Sequence, residues 1–347
     1  MSSASRDHSI VHAPGSMTRR LWLSSTAGLF LYAMTSAQTA KTASDKKPAR
    51  PKSVQDVTIK SSLDGELQPA WFMPGPGGKP APLVVHLHSW SSRYDRSAGV
   101  EEAALACEQR GWAFLSPDFR GPNDHPKACA SRWAIQDILD AVEYAKTHTS
   151  IDPRRIYLLG GSGGGHMALT MAHAAPKVWA AVSAWIPVTD LAAWHEFSKQ
   201  HGTRYHEMLD QCCGGAPGTN DEVDAEYRAR SPVFHLERAK GVRLDLEVGI
   251  HDGHGKAQVP VSQSLRAFNA LAIGNGHADR AFTPAQIDFI TEHEKLPEGL
   301  VSDAFDDKDR KRPVLFRRSA GPVRFTIFDG AHETDFPTAF RWLDRLE

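Results

Sequence analysis

The chain has 347 residues, enough for one large α/β domain or two small ones around a sizeable buried core. Its composition, 41% hydrophobic and 23% charged, is that of a globular protein. With 40 Lys plus Arg against 41 Asp plus Glu, no net charge points to nucleic acid or to an anionic membrane surface.

The N-terminus has the order of an export signal. Arg19-Arg20 precede a modestly apolar run from Leu21 to Met34, and the small residues Thr35-Ser36-Ala37 follow. The run is too short and too rich in Ser, Thr and Gly for a spanning helix, so no stable membrane insertion is expected. Thr18-Arg19-Arg20-Leu21-Trp22-Leu23 is similar to the twin-arginine motif, and Met17 is a candidate start. Residues 1–37 are therefore expected to be a leader and 38–53, rich in Lys, Ala, Ser and Pro, a disordered linker. The expected location is periplasmic or secreted.

From residue 54 strands and helices alternate. Val54 to Lys60 and Leu67 to Met73 predict two strands around the Asp64-Gly65 turn, and Pro82 to His88 predicts a buried one. A helix near 98–110, a strand over 112–116 and a helix over 134–146 come next. Arg155 to Leu159 predicts a strand that runs into glycines, then a helix over 167–174 and a strand over 178–186. Leu244 to Ile250 and Val323 to Phe328 are two further strands, each followed by a helix. This alternation predicts an α/β fold with a mostly parallel, doubly wound sheet. Segments 188–240 and 274–321 are expected as insertions over its carboxyl edge.

Gly160-Gly161-Ser162-Gly163-Gly164 is G-x-S-x-G between a strand and a helix, the setting of a nucleophile elbow. A Gly-rich phosphate loop is disfavoured, because no Gly-Lys-Ser/Thr follows and no acid about twenty residues on would hold a ribose. A serine hydroxyl needs a base. His332, in the turn after the strand ending at Phe328, is the candidate, with Asp252 after the strand ending at Ile250 as the orienting acid. Asp190, one strand earlier, is the rival acid. The oxyanion hole is assigned to the Gly163 amide together with that of Trp90 or Ser89.

Other residues receive blander roles. His86 and His88 share a strand face, but no downstream Asp-His pair completes a metal motif, so neither a metal nor a cofactor is expected. His166, His251 and His254 are expected to be supporting residues. Cys107 is expected to be a buried side chain, and Cys129 with Cys212 or Cys213 a candidate bridge. Trp185, Trp194, Phe197 and Tyr205 are candidates for an acyl or sugar platform, though mostly for lid packing.

As an ordered set, several motifs resemble the catalytic domain of the prolyl oligopeptidase-like α/β-hydrolases. They are Pro117-Asp118-Phe119-Arg120-Gly121, Ile151-Asp152-Pro153-Arg154-Arg155-Ile156, Gly160 to Gly165, Ser231-Pro232, Val259 to Leu265 and Asp329-Gly330-Ala331-His332. The resemblance spans residues 54–347 and implies an α/β-hydrolase fold with a Ser-Asp-His mechanism on esters or peptide bonds. Gly163 replaces the aromatic residue that the family commonly has after the nucleophile. His251-Asp252-Gly253-His254 also departs from its His-Gly-x-x-Asp. The family's peptidases carry a propeller ahead of the catalytic domain, and the hundred or so residues between the expected leader and Ser162 are taken up by strands of the sheet. The expected function is hydrolysis of small esters, with acetyl or acyl esters of carbohydrates foremost. A short-peptide peptidase is the alternative, and an inactive hydrolase fold used for binding is the minor one.

Overall fold

The structure is a computed structural model that describes residues 49–255, 258–307 and 309–346. The expected leader and most of the expected linker lie outside the described residues. Residues 50–53 correct the linker's boundary: Arg50 hydrogen-bonds Asp56 at 2.7 Å and the Val54 carbonyl at 2.7 Å, and lies over the Trp71 ring at 4.7 Å. Pro51 is buried. A guanidinium stacked on an indole fastens this stretch to the domain.

Among the described residues one nine-stranded sheet organises the chain. Its strands are β1 (Gln55–Lys60), β2 (Leu67–Met73), β3 (Ala81–Leu87), β4 (Ala113–Pro117), β5 (Ile151–Gly161), β6 (Ala181–Trp185), β7 (Leu244–Gly249), β8 (Val314–Ala320) and β9 (Val323–Phe328). The order is β1-β2-β4-β3-β5-β6-β7-β9-β8. The inner run from β4 through β3, β5, β6 and β7 to β9 is parallel, and β1, β2 and β8 are antiparallel at the edges. This is the mostly parallel, helix-covered α/β sheet that the alternation predicts. Every residue of β3, β4, β6 and β7 is buried, as parallel strands covered on both faces must be.

The helices follow their local signals. Helix α1 (Val100–Arg110) has Glu101 and Glu102 in its first turn and Arg110 in its last, both favourable to the helix dipole. Helix α2 (Arg132–His148) is capped by the Ser131 hydroxyl, which accepts the Ala134 amide at 3.2 Å. Helix α3 (Gly163–Ala174) runs from the glycine cluster and is almost wholly buried.

The insertion between β6 and β7 folds into α4 (Leu191–Gln200), α5 (Tyr205–Cys213) and α6 (Asp221–Arg230) around an apolar core of its own. That core includes Trp90, Val188, Trp194, Leu209, Val223 and Tyr227. Cys129, Cys212 and Cys213 are buried there as free thiols. The expected bridge is thus corrected: Cys129, Cys212 and Cys213 share this core as separate thiols.

The segment over 274–321 corrects a third expectation. After α7 (Val261–Gly274) it carries α8 (Pro284–His293), and then it returns to the sheet as edge strand β8. Arg317 and Arg318 within that strand disguise it in sequence. They are held there because Asp307 accepts Arg317 at 2.6 Å and the Phe282 ring lies 4.3 Å beneath Arg318. Last, α9 (Phe336–Asp344) is capped by Asp335 and packs Phe336, Phe340 and Leu343 on the core. No helix among the described residues is long and apolar enough to cross a membrane.

Candidate active site

The three residues singled out for acyl-transfer chemistry come from the carboxyl ends of three parallel strands. Ser162 follows β5, Asp252 follows β7 and His332 follows β9. Ser162 lies at φ 58° and ψ −118°, a conformation that costs a non-glycine residue on the order of 1–3 kcal/mol. Its amide donates to the Trp185 carbonyl at 2.9 Å and its carbonyl accepts the His166 amide at 2.9 Å, which fixes the turn. The turn closes only because its neighbours lack side chains. A Cβ on Gly164 would stand 2.1 Å from the Leu87 carbonyl oxygen, where α3 presses on β3.

The Ser162 hydroxyl donates to His332 Nε2 at 2.8 Å, and His332 Nδ1 donates to Asp252 Oδ2 at 2.9 Å. Asp252 is fully buried, and its other oxygen, Oδ1, accepts the Val259 amide at 3.2 Å. Burial pushes the Asp252 carboxyl above its ordinary range, while the hydrogen bond from His332 opposes that shift. Asp190, the rival acid, is elsewhere: it caps α4 by accepting the Ala193 amide at 3.1 Å. Backbone bonds hold the acid and base loops in register, from the Ile250 amide to the Phe328 carbonyl at 3.0 Å and from the His251 amide to the Gly330 carbonyl at 2.9 Å.

Of the two alternatives for the second oxyanion donor, the geometry separates Ser89 from Trp90. The Ser89 amide already donates to the Ser97 hydroxyl at 3.0 Å, which corrects its assignment. The Trp90 amide faces the nucleophile turn: a Cβ on residue 163 would stand 2.3 Å from Trp90 N. This close approach gives Gly163 its reason, because the Trp90 backbone fills the space an aromatic side chain would need. The Gly163 amide, at the first position of α3, is one of the donors for which a helix has no internal acceptor.

The loop bearing Trp90 is anchored on both sides. His88 stacks on Phe119 with ring centroids 3.9 Å apart and donates from Nε2 to the Asp118 carbonyl at 2.7 Å. The Asp118 carboxylate binds Arg93 at 3.0 Å and the Tyr94 amide at 3.2 Å. The Trp90 carbonyl accepts the Asn123 amide at 2.9 Å, and its ring packs edge-on against Trp194 at 4.7 Å.

The remaining histidines are placed as supports. His86 is buried beside the Ser116 hydroxyl, 3.3 Å away, and burial pulls its pKa down to about 3. His166 donates from Nδ1 to the Val188 carbonyl at 3.1 Å, and burial pulls it down to about 4. His251 bonds Glu294 at 2.6 Å, and His254 bonds the Thr291 carbonyl at 2.6 Å. Among the described residues no three His, Cys, Asp or Glu side chains are grouped to hold a metal.

A cleft of about 540 Å³ opens over Ser162 and His332. Its walls include Trp90, Ile186, Tyr205, Gln258, Lys311 and Phe336. Of the four candidate platform aromatics only Tyr205 reaches it. Trp185 and Trp194 are buried, with the Trp194 indole donating to the Gln258 carbonyl at 2.8 Å, and Phe197 stacks on His201. Lys311, Gln258 and Ile186 were not foreseen. Ile186 is one residue past β6, so the end of that strand could have flagged it, but nothing local to Lys311 or Gln258 marks either one.

Comparison with known proteins agrees with this architecture. Residues 101–293 match the prolyl oligopeptidase family. Acylamino-acid-releasing enzyme of Mus musculus is 26% identical over 244 residues, covering 66% of this chain and 31% of the relative. The Arabidopsis thaliana enzyme of that name is 30% identical over 210 residues, covering 56% and 26%. The chain thus spans 26–31% of the length of these relatives. Among solved structures, Pyrococcus horikoshii acylaminoacyl peptidase superposes with a TM-score of 0.51 at 20% identity, covering 64% of this chain and 35% of its own. Acetyl xylan esterase from Paenibacillus sp. R4 superposes with a TM-score of 0.55 at 16% identity, covering 86% of both chains. At these identities the superpositions speak for the fold, which is that of the α/β-hydrolases. The matched span exceeds half of the sequence and contains Ser162 and Asp252, and on that ground the chain belongs to the prolyl oligopeptidase family.

Proposed function

We propose that the protein is a serine hydrolase that removes acyl groups, acetyl foremost, from carbohydrate esters through an acyl-enzyme on Ser162. The observation that carries this reading is the continuous hydrogen-bond chain from the Ser162 hydroxyl through His332 to buried Asp252. In the proposed cycle Ser162 Oγ attacks the ester carbonyl carbon while His332 Nε2 takes the hydroxyl proton. The charge that develops on the carbonyl oxygen is met by the amides of Gly163 and Trp90, and Asp252 stabilises the imidazolium. The carbon–oxygen bond to the alcohol then breaks, and the alcohol leaves with the proton held by His332. Water, deprotonated by His332, attacks the acyl-Ser162 carbonyl. The carboxylic acid departs and Ser162 regains its proton.

Esters are favoured over amides on two grounds. An alkoxide leaving group demands less of the general acid than an amine does. The acetyl xylan esterase superposes over 86% of both chains, whereas the acylaminoacyl peptidase has 35% of its length in common with this protein. The basic-apolar-small order of residues 19–37 supports export, which would bring the enzyme to polymeric substrates. A second reading, peptidase action on short or N-acylated peptides, draws on the names of the curated relatives.

The test is a panel of p-nitrophenyl acetate, an acetylated xylo-oligosaccharide and a peptidyl-proline anilide, with kcat/KM measured for each. The expected outcome is turnover of both esters and at least 100-fold weaker cleavage of the anilide. Anilide cleavage equal to ester turnover would transfer the protein to the peptidases.

A further inference from the structure

The cleft over Ser162 does not end at Tyr205. A second depression of about 520 Å³ lies beyond it, and Ser91, Tyr205 and Gln258 belong to the walls of both. The two adjoin at these three residues, and the second lies along the face of α5. Its near wall is the loop after β3 with Pro122 and Asp124, and its far wall is α5 with the turn before it. Ser91 Oγ and Met208 Sδ, 3.6 Å apart, tie the two walls together.

Most side chains of the second depression are polar, with Pro122 and Met208 between them. Asp124, Thr203, Arg204, Glu207 and Gln211 offer paired donors and acceptors, and Tyr205 offers the aromatic face. Tyr205 is held in place, stacked on the buried Trp194 ring at 4.8 Å and hydrogen-bonded through its hydroxyl to the Gln258 side chain. A fixed ring beside amide, carboxylate and guanidinium groups suits the faces and vicinal hydroxyls of a sugar chain. An extended peptide would call for an open strand edge, and no strand residue lines the depression.

We propose that this depression is a remote binding site for the unacylated part of a polyhydroxylated chain, which makes an acylated oligosaccharide, rather than a small free ester, the substrate. The proposal rests on the esterase reading given above. Binding energy gathered away from the ester would be spent at the reacting centre, so longer chains react faster or bind more tightly.

The experiment separates binding from turnover. Ser162→Ala protein is titrated calorimetrically with unacetylated xylobiose, xylotetraose and xylohexaose, alone and with Arg204→Ala or Gln211→Ala added. The same two substitutions in otherwise wild-type protein are assayed on p-nitrophenyl acetate. Affinity is expected to rise at least tenfold from xylobiose to xylohexaose and to lose most of that gain in either double variant, while p-nitrophenyl acetate turnover stays within twofold. Equal affinity for all three lengths, or a gain that survives both substitutions, would overturn the proposal. So would a length dependence seen with acetylated oligoalanines and absent with the saccharides. Length-dependent binding without any ester turnover would sink the hydrolase reading and leave the saccharide site standing.

Discussion

Asp252→Asn is expected to fold as the wild type does and to lower kcat for p-nitrophenyl acetate by about 10,000-fold, the loss that follows when a triad histidine is held in the wrong tautomer. The reason lies in how the two carboxylate oxygens are used. Oδ1 accepts the Val259 amide at 3.2 Å and Oδ2 accepts His332 Nδ1 at 2.9 Å, so the site requires two acceptors. An asparagine has one. If its oxygen keeps Val259, its NH2 faces His332 and forces the ring proton onto Nε2, which then has no lone pair for the Ser162 proton. If it flips, the NH2 meets the Val259 N–H, and a fully buried site loses a hydrogen bond at a cost of about 1–3 kcal/mol. Steady-state kinetics beside a circular-dichroism melt separates the two outcomes. A loss smaller than tenfold would hand the orienting role to a group other than Asp252.

Gly164→Ala is expected to destabilise the fold by more than about 3 kcal/mol, or to leave the protein insoluble. The added Cβ would stand 2.1 Å from the Leu87 carbonyl oxygen, 2.9 Å from its carbon and 3.1 Å from the His88 carbonyl oxygen. All three are backbone atoms at the end of β3, a central strand paired on both sides with parallel neighbours. No side-chain rotation can make room, so α3 must lift away from the sheet and carry Ser162 with it. For a domain of this size such a penalty lowers Tm by roughly 5 °C. A melting temperature within 2 °C of wild type would mean that strand and helix do not approach as closely as described.

Much of this protein is legible in its sequence because the decisive signals are local. The β-branched and leucine-rich run of β5 into five glycines announces a strand, a sharp turn and a helix within a few residues. His332 and Asp252 follow apolar strands in the same way. What escaped depends on contacts far apart in sequence. Whether Ser89 or Trp90 offers its amide is decided by the Ser97 hydroxyl eight residues on. Strand β8 is hidden by Arg317 and Arg318, whose burial makes sense only once Asp307 and Phe282 are beside them. Lys311 reaches the cleft because Arg310, next to it, is bound to Glu247 at 2.7 Å and 3.1 Å and its own amide donates to Asp335 at 2.8 Å. No pattern around residue 311 could have signalled that. The cysteines mislead in the opposite sense. An exported protein would allow a bridge between their loops, but packing the insertion's core places them together as thiols.

In the proposed cycle Ser162 becomes covalently acylated. The most direct measurement is the mass of the protein, and then of its Ser162 peptide, after treatment with a fluorophosphonate. One phosphonyl group per chain is expected, located on Ser162, with ester turnover lost in step with labelling and no adduct on Ser162→Ala. Turnover that survives full labelling of Ser162, or that persists in Ser162→Ala, would contradict that cycle.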